Sequence, residues 1–309
     1  MPIPNFQTCM LPILEVIQDA SDWQMKQVTA AISDRFNLTD EERAEMLPAG
    51  YTRAIVNRVG WAKHYLKQAG LVLSPTRGVV RISPDGTAVL SQRPHHIDMK
   101  YLERFPAYVE FRAKKGTSSK EAIAAGGNDA VAEAESSETP EERIESAYQE
   151  MRAALADELL QQVKNGEDQF FERMVVELLV AMGYGGSFKD AGKAVGKSGD
   201  GGIDGVIKED KLGLDVVVIQ AKKWTENSVG RPAVQSFAGS MEGFRASKGV
   251  FITTSTFSQP AVEYVNTIQR RIVLIDGPAL ARLMIDHGIG VTKFDSYTLK
   301  RLDADYFDQ

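Results

Sequence analysis

The sequence predicts an α+β chain of two domains: a largely helical N-terminal domain carrying a short hairpin, and a C-terminal domain with a central mixed sheet flanked by helices. Three observations predict it. Helical periodicity dominates before residue 116, a stretch poor in core-forming residues follows, and helix and strand then alternate to the end. A length of 309 residues accommodates two domains.

In the first domain, residues 8–19, 22–36 and 40–47 read as short helices. Thr39 before Asp40-Glu41-Glu42 is a start signal, since a hydroxyl cap and first-turn acids satisfy orphan N–H groups. Residues 53–69 form a longer helix, with Ile55, Val59, Leu66 and Ala69 as packing positions and Gly70 as its stop. Leu71-Val72-Leu73, a turn over 74–78 and Val79-Val80-Arg81-Ile82 make a hairpin, and Ser83-Pro84 opens a further helix. Three helices and a hairpin, with the longest helix directly before it, is the order of a winged helix-turn-helix. This domain is expected over residues 1–115.

Residues 116–140 read as a flexible linker: Gly, Ala, Ser and Glu dominate, no aromatic occurs, and only Ile123 and Val131 are strongly apolar. Thr139-Pro140-Glu141-Glu142 then starts a connecting helix over 141–163. From 164 to 309 the pattern changes. Phe171, Met174, Val175, Leu178, Leu179 and Met182 form one amphipathic stripe, ended by the glycines around Tyr184. A hairpin of 202–208 and 215–224 follows. Helices over 232–243, 259–269 and 278–287 then alternate with strands over 249–254 and 272–276.

Composition excludes several classes. The single cysteine, Cys9, permits no intrachain disulfide, and four histidines show no zinc-ligand spacing. No apolar run reaches membrane-spanning length, and Pro2, Pro4 and Pro12 interrupt a start that lacks a basic segment, so a cytoplasmic location is expected. The net charge of −6 conceals a partition: residues 50–115 hold 12 Lys/Arg against 4 Asp/Glu, and residues 120–158 hold 3 against 11. A basic segment of that kind suits a nucleic-acid partner.

The chemistry concentrates at Gly199-Asp200-Gly201-Gly202-Ile203-Asp204 and, sixteen residues beyond, Gln220-Ala221-Lys222. Period two places Val216, Val218, Gln220, Lys222 and Trp224 on one face of a strand, with Asp204 on the strand before it. The glycines leave room for a phosphate backbone. Phosphodiester hydrolysis needs a divalent ion to polarise the phosphate and activate water. Asp204, the Gln220 amide oxygen and the Ala221 carbonyl can supply hard oxygen ligands, which favours Mg²⁺ or Mn²⁺. Lys222 can orient water or stabilise developing charge. Either Asp204 or Lys222 alone is more often a turn or solvated residue; the combination on one hairpin is what carries function.

Glu172 on a helix, then Asp204, then Gln220-x-Lys222 resembles the PD-(D/E)xK nuclease superfamily. The glutamine variant, with Gly199–Asp204 and Phe251-Ile252-Thr253-Thr254-Ser255, is similar to Mrr-type restriction endonucleases. The resemblance covers nearly the whole chain. It implies a restriction-endonuclease-like fold for residues 164–309 and a modification-dependent endonuclease that cuts methylated foreign double-stranded DNA with Mg²⁺. Glu172 would assist at the metal, because a neutral glutamine replaces the usual second acid.

Gly192-Lys193-Ala194-Val195-Gly196-Lys197-Ser198 imitates a phosphate-binding P-loop, but three residues rather than four separate its glycines, so no nucleotide triphosphate is expected. In the N-terminal domain, Arg53, Asn57, Arg58, Lys63, His64 and Lys67 crowd the longest helix, and Arg77 and Arg81 lie on the hairpin. Arg and Asn suit base edges, and Lys and Arg suit phosphates. Cutting both strands needs two active sites or two nicks, so a homodimer or larger homo-oligomer is expected. A repair nuclease or junction resolvase of the same fold, and a non-catalytic DNA-binding regulator, remain alternatives at this point.

Overall fold

The computed structural model describes residues 3–48, 50–120, 137–184, 203–208, 215–224 and 227–300. Gly199–Gly202, the P-loop-like run 192–198 and residues 121–136 of the expected linker lie outside the described residues. The chain divides into two compact units, Met1–Gln149 and Glu150–Gln309.

The first unit contains α1 (Met10–Val16), β1 (Trp23–Gln24), α2 (Met25–Arg35), α3 (Asp40–Ala44), α4 (Ala54–Gln68), β2 (Val72–Leu73), β3 (Val79–Ile82), α5 (Pro84–Ser91), α6 (Met99–Leu102) and α7 (Pro106–Lys120). Local chemistry explains the starts. Thr39 accepts from the Glu42 N–H while the Glu42 carboxylate takes the Thr39 N–H at 2.8 Å, a reciprocal cap on α3. Ser83 accepts from the Gly86 N–H at 3.0 Å, with Pro84 preset at the first helical position of α5. Gly70, at φ +77°, ends the turn after α4.

The expected two-stranded hairpin is a three-stranded sheet of order β1-β3-β2, with Trp23 opposite Val80 and Val72 opposite Ile82. The extra strand falls at the head of the helix expected over 22–36. Two residues give no periodicity by which to see it. The helices expected over 8–19 and 40–47 are likewise shorter, and α6 and α7 are additions; α7 runs past residue 116 to Lys120. Ile55, Val59, Ala62 and Leu66 of α4 bury against Met10, Ile13, Val28 and Ile32, which turns the helix's opposite face outward.

α8 (Pro140–Asn165) follows, two residues longer at its end than expected. Thr139, fully buried, and the partly exposed Glu142 form a second reciprocal cap, with the Thr139 N–H donating to the Glu142 carboxylate at 2.8 Å.

The second unit contains α9 (Asp168–Ala181), β4 (Gly205–Lys208), β5 (Val216–Lys222), α10 (Arg231–Ser240), a 3₁₀ turn (Met241–Phe244), β6 (Lys248–Thr253), α11 (Gln259–Thr267), β7 (Arg271–Ile275) and α12 (Gly277–His287). The sheet order is β4-β5-β6-β7, with β4 antiparallel to β5 and the other pairs parallel, which is the expected mixed sheet. Alternation sorts its side chains into two cores. Ile207, Ile219 and Ile252 pack with Phe171, Val175 and Leu280 from α9 and α12. Val218 and Phe251 pack with Val234, Phe237 and Ala261 from α10 and α11. At Gly277 a Cβ would lie 2.5 Å from the Thr254 carbonyl, so glycine allows α12 to start tight against the end of β6.

Candidate active site and nucleic-acid surface

The register of β4 on β5 builds the site. Gly205 pairs with Ile219, and just ahead of β4 the Asp204 N–H donates off-register to the same Ile219 carbonyl at 2.9 Å. Asp204 therefore sits against the Ile219–Ala221 stretch that carries Gln220. Its Oδ2 accepts from the Ala221 N–H at 2.7 Å, fixing the carboxylate at the C-terminal end of β5. Val216 and Val218 point into the core beneath α10 and α11, so Gln220 and Lys222 share that face by strand parity. Lys222 Nζ lies 6.0 Å from the ring centre of Trp224, the next residue along the same face.

Gln220 is 5% exposed, and its Oε1 is buried without a hydrogen-bond partner. A buried amide oxygen with no donor costs about 1–3 kcal/mol, so its persistence calls for a reason. A cation supplies one. Asp204, Gln220 Oε1 and the Ala221 carbonyl are all hard oxygen donors, and the set fits Mg²⁺ or Mn²⁺. Among the described residues no three His, Cys, Asp or Glu side chains cluster for a metal, so amide and carbonyl oxygens must complete any such set.

The electrostatics agree. Burial raises the Asp204 carboxyl above its ordinary pKa, with the Ala221 N–H and the Lys222 charge partly offsetting it. Glu172, on α9, is also raised, first by burial and then by the negative charges of Asp204 and Asp168. Two carboxylates that repel each other at one sheet end form a place where a divalent cation relieves strain.

Two supports escaped the sequence reading. Lys223, on the face opposite Lys222, contacts Asp168 Oδ1 at 2.9 Å and donates to the Gly166 carbonyl at 2.5 Å. It pins the start of α9, and so Glu172, against the end of β5. Thr254 Oγ1 accepts from the Trp224 N–H at 3.0 Å and donates to the Trp224 carbonyl at 2.8 Å, latching β5 to the chain beyond β6. Lys223 was visible as a lysine on the apolar face of a strand; the Thr254 latch had no local signal. Arg231 stacks on Tyr264 at 5.3 Å, a local role at the start of α10.

The N-terminal candidates fall into two groups. Arg53 and Lys67 are exposed at the two ends of α4, and Arg77 is exposed in the turn before β3. Asn57 lies between them on the outward stripe, with its Oδ1 buried and unpartnered. Lys63 is half-buried, and burial followed by the Lys67 charge lowers its pKa. Arg58, Arg81 and His64 have partners within the unit. Arg58 Nε donates to Glu142 at 2.8 Å and its Nη1 to the Ile3 carbonyl at 2.7 Å. Arg81 pairs with Asp22 at 2.8 Å, and His64 sits edge-on to Trp61 at 5.2 Å and Phe111 at 5.8 Å.

Comparison with known proteins decides the family. A family model described as "Mrr N-terminal domain" matches residues 6–92, and one described as "Restriction endonuclease" matches residues 163–284. Over the full length of both chains, this protein is 35% identical to the type IV methyl-directed restriction enzyme EcoKMrr of Escherichia coli (strain K12). The chain belongs to the Mrr-type restriction endonucleases. Restriction endonucleases are DNA hydrolases, and the ladder-end residues above lie within the matched catalytic region. Among solved structures, the MspJI restriction endonuclease in complex with a 27-mer oligonucleotide aligns at 25% identity over 43% of this chain and 31% of that one, with a TM-score of 0.33. The DNA modification-dependent restriction endonuclease AspBHI aligns at 18% identity over 44% and 35%, with a TM-score of 0.33.

Proposed function

We propose that this protein is a type IV, methyl-directed endonuclease that hydrolyses phosphodiester bonds of methylated foreign double-stranded DNA at the C-terminal end of β5. The observation that carries the site is the buried, unpartnered Gln220 Oε1 beside Asp204 and Lys222. The full-length relationship to a methyl-directed enzyme supports the substrate.

In this reading Asp204, Gln220 Oε1 and the Ala221 carbonyl hold Mg²⁺, with Mn²⁺ as a substitute, and Glu172 supports them. The chemistry such an ion supplies is polarisation of the scissile phosphate and a lowered pKa for the attacking water. Lys222 sets its ammonium against charge that develops on the phosphate oxygens. The Ala221 N–H fixes one Asp204 oxygen and leaves the other for ligation. Lys223 holds Glu172 in range.

The N-terminal unit acts as a winged helix that reads the duplex, α8 as a connecting helix, and residues 164–309 as the nuclease. Arg53, Asn57, Lys63, Lys67 and Arg77 face DNA, while Arg58 serves the fold. Two copies of the chain cut the two strands, in the cytoplasm where foreign DNA arrives. No helix among the described residues is long and apolar enough to cross a membrane.

The test is cleavage of one plasmid, methylated and unmethylated, with and without Mg²⁺. Wild type should cut only the methylated form with metal present, and Lys222→Ala should bind that plasmid without cutting it. Equal cutting of both plasmids defeats the substrate assignment; undiminished cutting by Lys222→Ala defeats the site.

A further inference from the structure

We propose that an exposed apolar seam on α8 is a pairing surface, on which the α8 of a second copy of this chain packs antiparallel. This deepens the proposed function by naming the surface that joins the two copies; it rests on that pairing and not on which DNA is cut.

Four large apolar side chains of α8 stand in solvent: Ile144 at 52% exposure, Tyr148 at 54%, Met151 at 67% and Leu155 at 40%. They recur at i, i+4, i+7 and i+11, the spacing of a coiled-coil seam. At 3.6 residues per turn they fall within about 60° of one another around the helix. Single apolar residues scattered over a surface need no account, but here every exposed large apolar side chain of the helix is on one line. From Ser146 to Met151 the helix is exposed on every side. Helical propensity alone holds so short a stretch poorly, and the burial that anchors α8 in the second unit lies further along, at Leu159 and Val163. An apolar line on a helix packs against something, and among the described residues nothing covers this one.

Charge and symmetry select the occupant. Residues 120–158 hold 3 Lys/Arg against 11 Asp/Glu, a field that repels nucleic-acid phosphates and anionic lipid and leaves a protein surface as the partner. The residues beside the seam are self-complementary when two copies of α8 run antiparallel about a two-fold axis between Gln149 and Glu150. Ile144 then faces Leu155 of the second copy, and Tyr148 faces its Met151. One flank of the seam carries Glu145 and Arg152, and in this arrangement each meets the opposite charge of the other helix. Arg152 already pairs with Asp286, and the five N–H donors of a guanidinium allow it to serve a second carboxylate. The other flank carries Ala147 and Ala154, small enough for the two backbones to approach closely. A parallel pair would set the charged flank against those alanines and form no ion pair.

The experiment uses the full-length protein. Sedimentation velocity over a dilution series should show wild type self-associating. Tyr148→Glu/Met151→Glu places four carboxylates in the seam of a pair and should raise the dissociation concentration by roughly tenfold or more. Both positions are exposed and glutamate is a good helix former, so helix content by circular dichroism should not change. Wild type that stays monomeric, both free and on DNA, overturns the pairing of copies and the seam with it. Wild type that self-associates with an unshifted double variant overturns the seam alone. Cross-linking then tests the direction, and Cys9, the single native cysteine, is buried and leaves the background clean. Ile144→Cys and Leu155→Cys proteins, mixed, allowed to exchange and treated with a short thiol cross-linker, should give a covalent dimer. Neither should do so alone, because eleven residues separate the two positions by about 16 Å along each helix. A covalent dimer formed by Ile144→Cys alone, and none by the mixture, shows parallel helices and overturns the antiparallel seam.

Discussion

The end of β5 and the outer face of α4 are both rich in polar side chains, but they are organised by different physics. At β5 the backbone does the positioning: bonds to the Ile219 carbonyl and from the Ala221 N–H hold Asp204 beside the strand end, and parity sets Lys222 on the face of Gln220. On α4 the backbone only distributes residues around a cylinder, and tertiary partners decide which remain outward. Arg58, a little over one turn beyond Arg53 and indistinguishable from it in sequence, is held by Glu142 and the Ile3 carbonyl. The lesson is that a strand motif predicts geometry, whereas a basic helix predicts only a supply of charge.

The largest effect that tests this contrast is at the ladder end. Asp204→Asn and Lys222→Ala should each lower single-turnover cleavage by about 10²–10³-fold or more while leaving DNA affinity near wild type, since each removes a charge that acts on the reacting phosphate. Gel-based cleavage and anisotropy on the same preparations check both halves. Loss of binding in step with cleavage would mean that these residues hold DNA rather than cut it.

Next in size is Arg58 against Lys67. Arg58→Ala leaves the Glu142 carboxylate without its guanidinium, so it should destabilise the protein by about 1–3 kcal/mol, read by urea unfolding. Its salt dependence of DNA binding should stay at the wild-type value. Lys67→Ala, at the exposed end of α4, should do the reverse: stability within about 0.5 kcal/mol, and a salt slope reduced by about one. Exchange of the two phenotypes would place Arg58 on the DNA surface after all.

The carboxylates give a pH signature. The folded-state pKa values of Asp204 and Glu172 are raised, so folding favours their protonated forms. That contribution is whole below the unfolded values, 3.8 and 4.5, and is lost as pH rises through the raised values. At neutral pH the ionised pair strains the metal-free protein. Asp204→Asn should therefore raise the metal-free Tm near neutrality and give no such gain at acidic pH. Mg²⁺ should raise the wild-type Tm but not that of Asp204→Asn, and the acid limb of activity should lie above the ordinary carboxylate range. A metal-free Tm lowered by Asp204→Asn at neutral pH would contradict the burial argument.

The smallest effect belongs to Lys223. Lys223→Met keeps most of the stem and removes the contacts to Asp168 and Gly166. It should raise the Mg²⁺ concentration for half-maximal cleavage several-fold, with little change in the rate at saturation, because Lys223 acts through the placement of Glu172. A fall in the saturated rate alone would make it a participant in the chemistry instead.

Much of the catalytic domain was legible because its signals are local. The stripe from Phe171 to Met182, the alternation along β5 and the helix–strand order each follow from a period of 3.6 or 2. The caps at Thr39 and Thr139 were legible for the same reason. Long-range pairing was not. Trp23–Gln24 forms a strand because Val79 and Val80 accept it, and two residues have no period. Lys223 finds Asp168, and Thr254 finds Trp224, across the fold rather than along the chain. Such contacts add a third strand to the expected hairpin and give Arg58, Arg81 and His64 partners within their own unit.

The claim on which the active-site account turns is that the buried Gln220 oxygen is kept for a cation. Cleavage rate against Mg²⁺ concentration, measured for wild type, Gln220→Glu and Gln220→Met, tests it directly. The account predicts that the Mg²⁺ requirement falls with Glu, which adds charge at the same reach, and rises steeply with Met, which removes the oxygen. Three superimposable Mg²⁺ curves would show that Gln220 is no ligand and would contradict the site as described.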